Sequence, residues 1–392
     1  MRLFTTLFAF IIAIQLQAQS LKLPTAQGVV LTADSTMDVA LTLDLSAFLA
    51  AADLPNEQNV YVLPSQQIET YILLDEILGI TKNTKTGEIN YYQPVITNCI
   101  ALDDKQYLLQ IAYMGGDSLP TQLRAIFEII AHANTTKFLF SSPLKYNTLN
   151  WNKFTHQNTT VFYKRDIQTK KVEEYATFST EIDAKLKSTG KLTEFYCCEN
   201  FVEVLQLIGV LHKADYASVQ LNTLGSLVGN KKLIITGEHS SNFNDFDKHD
   251  LWHDRLSLVV PRSTVNKPVD EACAYLYGGS WGYSWDTIFK HFTKRIAIAE
   301  NTDWQYYKEN PYDFGESDEK HLYADYVINA LIVQHLEKEY GFDAVWKMLN
   351  TGKYQKGNAN YYAALQQLTG VSAGNYNQWV YQLVKAEMNK KQ

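Results

Sequence analysis

The chain has 392 residues, a hydrophobic share of 46%, 25 tyrosines and 7 tryptophans. This composition excludes an intrinsically disordered protein, and the length allows roughly two or three domains with cores of their own. The formal net charge of −7 argues against a surface that binds nucleic acid or anionic lipid. We therefore expect a globular protein that binds neither nucleic acid nor an anionic membrane.

Residues 1–18 have the pattern of a secretory signal peptide. Met1 and Arg2 give a short positive start, an apolar run follows, and Ala18 offers a small residue for cleavage. No later run of about 18 apolar residues is present, so we expect no membrane span in the mature chain. The sequence thus predicts a secreted or periplasmic protein.

The cysteines do not indicate a function. There are four of them, Cys99, Cys197, Cys198 and Cys273, which are too few for a disulfide framework in a chain of this length. We expect reduced, partly buried thiols, although an exported compartment leaves a long-range bridge open.

Residues 19–150 predict a β-rich accessory domain. Alternating segments such as YVLPSQQIETYILL (61–74) and KQYLLQIAYMGGDS (105–118) are typical of strands. One helix is predicted at PTQLRAIFEIIAHAN (120–134), because its apolar residues form one stripe at helical spacing. A further strand is predicted at TKFLFSS (136–142).

Residues 151–262 predict a small α/β layer. Strands and helices alternate there, with strands at 159–165, 192–198 and 231–237 and helices at 170–188 and 200–212. Residues 263–392 predict a mostly helical subdomain, of which EKHLYADYVINALIVQHLEKEYG (319–341) is the clearest helix. The fold class predicted for the whole chain is α+β.

The segment FDKHDLWHDRLS (246–257) predicts a helix with a metal-binding edge. At 3.6 residues per turn His249 and His253 lie on one edge, and apolar leucines lie roughly opposite. Two histidines at this spacing can share one zinc ion. Asp250 projects beside the same edge, where a general base for an activated water is needed.

A second predicted helix, NKPVDEACAYLYGG (266–279), offers the third ligand. Pro268 suits its first turn, and Glu271 follows His253 by about 18 positions, enough chain to turn back toward the histidines. Asp270 is the rival ligand, but its side chain is shorter and we expect it to point to a different face.

Together HDLWH and DEACAYL resemble the motifs of the gluzincin metallopeptidases, the thermolysin-like and aminopeptidase-like superfamily. Its pattern is H-E-x-x-H and, after roughly eighteen to twenty residues, a zinc-binding glutamate in a helix close to N-E-G-x-A-x-Y. The motifs cover about 30 residues, and the arrangement resembles the superfamily over roughly 155–390. The resemblance implies zinc ligation by His249, His253 and Glu271 and the catalytic-base position at Asp250.

The sequence departs from the superfamily pattern at two motif positions. Asp250 replaces the catalytic glutamate and Ala272 replaces the usual glycine, and no G-x-M-E-N segment for gripping an amino terminus precedes them. Aspartate is one methylene shorter, and a misplacement on the order of 1 Å can cost about 100-fold in rate. We therefore expect the substitution to slow catalysis far more than it weakens zinc binding.

An oxyanion donor is also needed, and in the resembling families it is a tyrosine or histidine of the helical region. The candidates here are His321, Tyr323 and Tyr326, with Tyr283 behind them.

Several residues keep two interpretations. Asp245, Asp247 and Asp254 either orient the imidazoles or form an ordinary acidic surface. The aromatic run YLYGGSWGYSW (275–285) either lines a substrate cleft or belongs to the core.

The functional hypothesis is an exported zinc metallopeptidase that acts on a peptide or protein through an activated water. One alternative is a weak or inactive pseudo-peptidase that binds a peptide or glycan. Another is a structural protein in which the histidine helix only packs.

Overall fold

The computed structural model describes residues 23–32, 34–116, 121–134, 137–216, 221–237, 243, 246–261, 263–315, 320–353 and 355–390. The predicted signal peptide at 1–18 and the candidate orienting residue Asp245 lie outside these ranges.

Helices and strands alternate up to Thr236, and only helices follow among the described residues. The helices are α1 (Ser35–Ala50), α2 (Gln67–Ile77), α3 (Leu144–Asn147), α4 (Thr169–Lys185), α5 (Phe201–Ile208), α6 (Lys248–Ser257), α7 (Lys267–Tyr277), α8 (Trp285–Arg295), α9 (Trp304–Glu309), α10 (Ala324–Tyr340), α11 (Phe342–Leu349), α12 (Ala359–Thr369) and α13 (Tyr376–Lys390). The strands are β1 (Gln93–Ala101), β2 (Gln106–Gly115), β3 (Gln122–Ala133), β4 (Phe138–Ser141), β5 (Asn152–His156), β6 (Thr159–Tyr163), β7 (Leu192–Cys197), β8 (Val210–Lys213), β9 (Thr223–Val228) and β10 (Lys231–Thr236). The fold is mixed α and β with a β-rich N-terminal region and a helical C-terminal region, which confirms the predicted class.

The strands form two five-stranded sheets. One has the order β1-β2-β3-β4, with β8 paired to β3, and the other has the order β5-β6-β7-β10-β9. The chain divides into two compact units, each with its own hydrophobic core. Unit 1 comprises Met1–Asn152, Phe162–Lys164 and Glu194–Ser241, and unit 2 comprises Lys153–Val161, Arg165–Thr193 and Asn242–Gln392.

The helix predicted at 120–134 is wrong, because Gln122–Ala133 form the strand β3. This strand pairs with β2 along one edge and with β4 and β8 along the other. Its fully buried residues alternate along the strand, at Ala125, Phe127, Ile129 and Ala131. The other face of β3 is only partly buried but also carries Ile126 and Ile130, so the apolar residues of this strand also fit the spacing of a helical stripe.

The strand predicted at 61–74 is also wrong over most of its length, because α2 begins at Gln67. Nearly every residue of α2 is buried, including Glu69 and Glu76. A helix that is covered on all sides has no single apolar stripe, and its sequence therefore resembles that of a strand.

The helix α1, in a region predicted as strands, extends into a short 3₁₀ turn. Within the described ranges this segment, Ser35–Asp53, is the one helix long and apolar enough by length and composition to cross a membrane. Its Leu41, Leu45 and Phe48 are fully buried in the core of unit 1. Its Asp44 carboxylate accepts a hydrogen bond from the backbone N–H of Phe138 on β4 at 2.7 Å. These contacts are those of a helix that packs inside a globular unit.

Unit 2 holds the residues of the predicted metal site. Its helices α6 and α7 pack against each other, α4 packs against α6, and α10 packs against α7. The Cys273 thiol is buried in this unit, and none of the four cysteines forms a disulfide. The four helices α4, α6, α7 and α10 therefore position the site.

Candidate metal centre

The helix α6 carries both histidines, as the sequence predicts. Asp247 caps its N-terminus, because the carboxylate Oδ1 accepts a hydrogen bond from the backbone N–H of His249 at 2.7 Å. Leu251 and Trp252 are buried on the side that faces the core. His249 and His253, four residues apart, are left on a partly exposed edge where their rings are neighbours.

A buried ion pair holds α6 against α4. The Arg255 side chain is fully buried and donates from Nε to Oδ1 of Asp183 at 2.8 Å, with a second bond from its terminal nitrogen to the other carboxylate oxygen. It also donates to the Thr193 hydroxyl at 3.1 Å. Breaking a buried pair by removing one partner leaves an uncompensated charge and is strongly destabilising. This pair therefore fixes the helix that carries the histidines.

The helix α7 presents its acidic first turn to the histidines. It begins at Lys267 with Pro268 in its first turn, and Glu271 lies about one turn further on. At its end, a Cβ added to Gly278 would lie 2.5 Å from the backbone nitrogen of His249. Glycine at this position therefore lets the end of α7 pass directly against the start of α6.

Three side chains converge at the crossing of α6 and α7. The His249 and His253 Nε2 atoms are 3.2 Å apart. The Glu271 Oε2 atom lies 3.4 Å from Nε2 of His249 and 3.7 Å from Nε2 of His253. The three residues offer one ligand atom each within a single small volume, and this group could hold a metal ion.

The other nitrogen of each imidazole is already bonded. His249 Nδ1 lies 2.8 Å from the carbonyl oxygen of Gly279, and His253 Nδ1 lies 2.9 Å from Oδ1 of Asp270. Both acceptors require a proton on Nδ1, so the neutral rings carry their free lone pair on Nε2. Orientation of a ligating imidazole by a carboxylate or carbonyl is the usual arrangement behind a metal site.

The contacts among these three side chains raise the pKa of both imidazoles and lower the pKa of the carboxylate. Burial lowers the pKa of His253, but hydrogen bonds to Asp270 and Glu271 outweigh it and raise that pKa to about 10. For His249 burial likewise lowers the pKa, and the contacts with Glu271 and the Gly279 carbonyl reverse the effect and raise it. Burial raises the pKa of Glu271, but the two imidazoles lower it to about 2. These pKa shifts favour protonated imidazoles beside an ionised Glu271 carboxylate.

Asp250 lies beside this group with its carboxylate exposed. It belongs to the walls of two cavities, of about 600 Å³ and about 400 Å³, that it shares with Lys267 and Glu271. Partial burial and the neighbouring Asp247 raise its pKa, although the two histidines lower it. Its carboxylate makes no hydrogen bond within the described part of the chain, so it is free to accept one from a ligand.

The structure brings the predicted oxyanion donors to the smaller cavity. His321, Tyr323 and Tyr326 line it together with His249 and Glu271. Neither tyrosine hydroxyl has a hydrogen-bond partner among the described residues, whereas His321 Nδ1 is bonded to Asp313 at 2.5 Å. Either phenol can therefore donate to a ligand.

The remaining candidates lie elsewhere or have other roles. Tyr283 does not line either cavity and packs its ring against His291. Asp247 caps α6, and Asp254 lines the larger cavity on the exposed side of the helix.

Sequence reasoning missed the residue that orients His253. Asp270 does this, and its Oδ1 also accepts from Nε1 of Trp252 at 2.8 Å. The only signal in the sequence was the position of Asp270 directly before Glu271. From this position Asp270 was predicted to be a rival ligand whose side chain points to a different face.

Comparison with known proteins does not assign the chain to a family. No protein-family model matches it, and no curated protein is similar enough to count as a relative.

Proposed function

We propose that this protein is an exported zinc metallopeptidase that hydrolyses peptide bonds. One observation carries the proposal, namely the spacing of the three ligand atoms. Tetrahedral zinc with bonds of about 2.0–2.1 Å needs ligand atoms about 3.3–3.4 Å apart. In the structure the separations are 3.2, 3.4 and 3.7 Å.

The donor set supports zinc in a catalytic rather than a structural role. Two imidazoles and one carboxylate are typical of hydrolytic zinc sites, which leave a position open for water or substrate. The two cavities that meet at Glu271 provide that access. A bound zinc ion would polarise the carbonyl of a peptide bond and lower the pKa of water.

The chain's own residues would move the protons. The Asp250 carboxylate, which lines both cavities together with Glu271, would take the proton of the attacking water and pass it to the leaving nitrogen. The phenol of Tyr323 or Tyr326 would donate a hydrogen bond to the oxygen of the cleaved carbonyl. Burial and the nearby Glu271 raise the pKa of Tyr326, so this phenol keeps its proton at neutral pH.

Metal analysis of the purified protein tests the site. We expect about one zinc per chain after mild dialysis, and a loss of this zinc in His253→Gln. A content below about 0.2 zinc per chain in the parent would leave the histidine helix with a packing role only.

Variants of Asp250 test the reaction. With a peptide library as substrate, we expect Asp250→Asn to lose activity by about 100-fold or more and to keep its zinc, because only the base is removed. Asp250→Glu restores the reach of the superfamily's glutamate, and we expect it to match or exceed the parent.

The alternative is a binding module that has lost hydrolysis. The side chain of Asp250, which is one methylene shorter than the glutamate of the superfamily, supports this alternative. Absence of hydrolysis in both the parent and Asp250→Glu, with zinc bound in both, would favour this module and reject the peptidase.

A further inference from the structure

A tight hairpin at the rim of the smaller cavity contains a residue that its backbone does not favour. Ser280 and Tyr283 exchange two backbone hydrogen bonds, with N–O distances of 3.0 and 2.8 Å. The two residues between them, Trp281 and Gly282, have φ of 52° and 77°. Two positive φ values are typical of a type I′ turn, whose preferred sequence is Asn-Gly. A tryptophan at the first position is unfavourable, because its Cβ crowds the following carbonyl.

The Trp281 ring is nevertheless held in one place. Its Nε1 donates a hydrogen bond to the carbonyl oxygen of His321 at 3.0 Å, while the side chain stays 50% exposed. Trp285, four residues further along the same aromatic run, is by contrast buried in the core of unit 2. An ordered, exposed indole in a disfavoured conformation suggests a functional contact, since strain is retained where the side chain is needed.

The position of the ring indicates what it contacts. Trp281 lines the cavity of about 400 Å³ that also contains His249, Glu271, Tyr323 and Tyr326. This volume lies within the range of ligand pockets. Among the described residues, the cavity of about 600 Å³ has no phenylalanine, tyrosine or tryptophan in its wall, which consists mainly of aliphatic and acidic side chains together with His253, Ser257 and Lys267. The two sides of the candidate centre therefore differ in chemistry.

We propose that Trp281, with Tyr323 and Tyr326, forms an aromatic subsite that binds a large planar side chain of a peptide ligand next to the metal ligands. Offset or edge-to-face contacts with a second ring favour an aromatic over a small aliphatic side chain. Trp281 is thus a specificity-determining residue. The inference deepens the proposed function and rests on it in taking the ligand to be a peptide.

The experiment compares two pentapeptides in which one bond is reduced, so that neither can be hydrolysed. They differ only in carrying phenylalanine or alanine beside that bond. Their affinities are measured by calorimetric titration of the purified full-length protein with zinc present, and saturation-transfer NMR reports which ligand protons touch the protein. We expect the parent to bind the phenylalanine peptide about tenfold more tightly than the alanine peptide, because the alanine peptide lacks one buried aromatic contact. We expect Trp281→Asn to reduce this preference to about twofold or less, with the affinity for the alanine peptide unchanged.

The choice of asparagine separates binding from folding. Trp281→Asn places the preferred Asn-Gly pair in the turn, so we expect its melting temperature to equal or exceed that of the parent. Trp281→Phe keeps a ring and should retain most of the preference. Tyr340→Ala removes an aromatic of similar exposure, 51%, on α10 away from both cavities, and should change neither affinity.

The outcomes distinguish this inference from the proposed function. A parent that shows the phenylalanine preference but hydrolyses no peptide would uphold the subsite and reject the peptidase. The subsite would be overturned if the parent bound both peptides equally, or if Trp281→Asn reduced the affinity for both peptides by the same factor. It would also be overturned if the protein bound an oligosaccharide such as chitotriose and neither peptide.

Discussion

At the scale of single residues, Asp270 shows how much of the candidate site depends on groups other than the ligands. Its carboxylate joins His253 Nδ1 to the indole of the buried Trp252. The ring of His253 is therefore aimed by a residue that is itself fixed by the core. Groups of this kind hold a ligand in orientation and raise its basicity, and their loss typically costs about 10-fold to 100-fold in metal affinity.

The pKa values of the metal-free group predict how zinc binding depends on pH. A ligating imidazole must be neutral, but the pKa of His253 is raised to about 10, so this ring carries a proton near neutral pH. Zinc must displace that proton, and the observed affinity should rise about tenfold per pH unit for each proton displaced. Glu271, with its pKa lowered to about 2, is already ionised and adds nothing to this slope.

Calorimetric titration with zinc in buffers of different ionisation enthalpy measures the protons released. We expect release of about one proton or more per ion between about pH 6 and about pH 8. A zinc affinity that stays flat over this range would show that the imidazoles are neutral before the ion arrives.

At the scale of elements, the close approach of α7 to α6 defines the site. Gly278 permits it, because any side chain there would meet the backbone of Lys248 and His249. The next residue, Gly279, supplies the carbonyl that orients His249. The C-terminal end of α7 thus orients His249, the first histidine of α6.

We therefore expect Gly278→Ala to damage the site without touching a ligand. The added Cβ would lie 2.5 Å from the His249 nitrogen, so α6 and α7 must separate and the distances among the three ligand atoms must grow. Zinc affinity should fall by about 10-fold or more, and the melting temperature should also drop. A matched control is Gly374→Ala, since the nearest atom to a Cβ there is a serine oxygen at 3.7 Å. Equal zinc affinity in the two variants would contradict this role for Gly278.

Local sequence patterns predicted some elements and failed for others. The helix predicted at 170–188 was identified correctly as α4, whose Val172 and Ile182 are buried. β3 and α2 were not, because their burial comes from neighbours distant in the sequence. The same limit applies to the site. The spacing of His249, His253 and Glu271 is local to two helices and could be predicted, whereas the role of Asp270 depends on how those helices pack.

At the scale of the whole molecule, the candidate ligands all belong to unit 2, which has its own core. They come from two helices, so a bound ion would link α6 to α7 in addition to the contacts between their side chains. A ligand that binds only the folded state stabilises it by about 4 kcal/mol at a concentration about 1,000 times its dissociation constant.

We expect chelation of zinc to loosen α6 and α7 selectively. Hydrogen exchange followed by mass spectrometry should show faster exchange over 248–257 and 267–277, and little change in the strands β2 and β3 of unit 1. Zinc should raise the melting temperature of the parent but not that of His253→Gln. Exchange that rises uniformly along the chain, or a variant that responds like the parent, would argue against a metal that joins these two helices.

The two cavities that border Asp250, Lys267 and Glu271 have a practical consequence for chemical probes. Carboxylates from Asp250, Asp254, Asp270 and Glu271 dominate the polar wall of one cavity, and aromatic rings line the other. A single compound with a chelating head, a cationic arm and a planar arm could fill both at once. Such a compound would distinguish this centre from metal sites whose surroundings are uniform, because each arm adds its own selectivity to that of the chelating head.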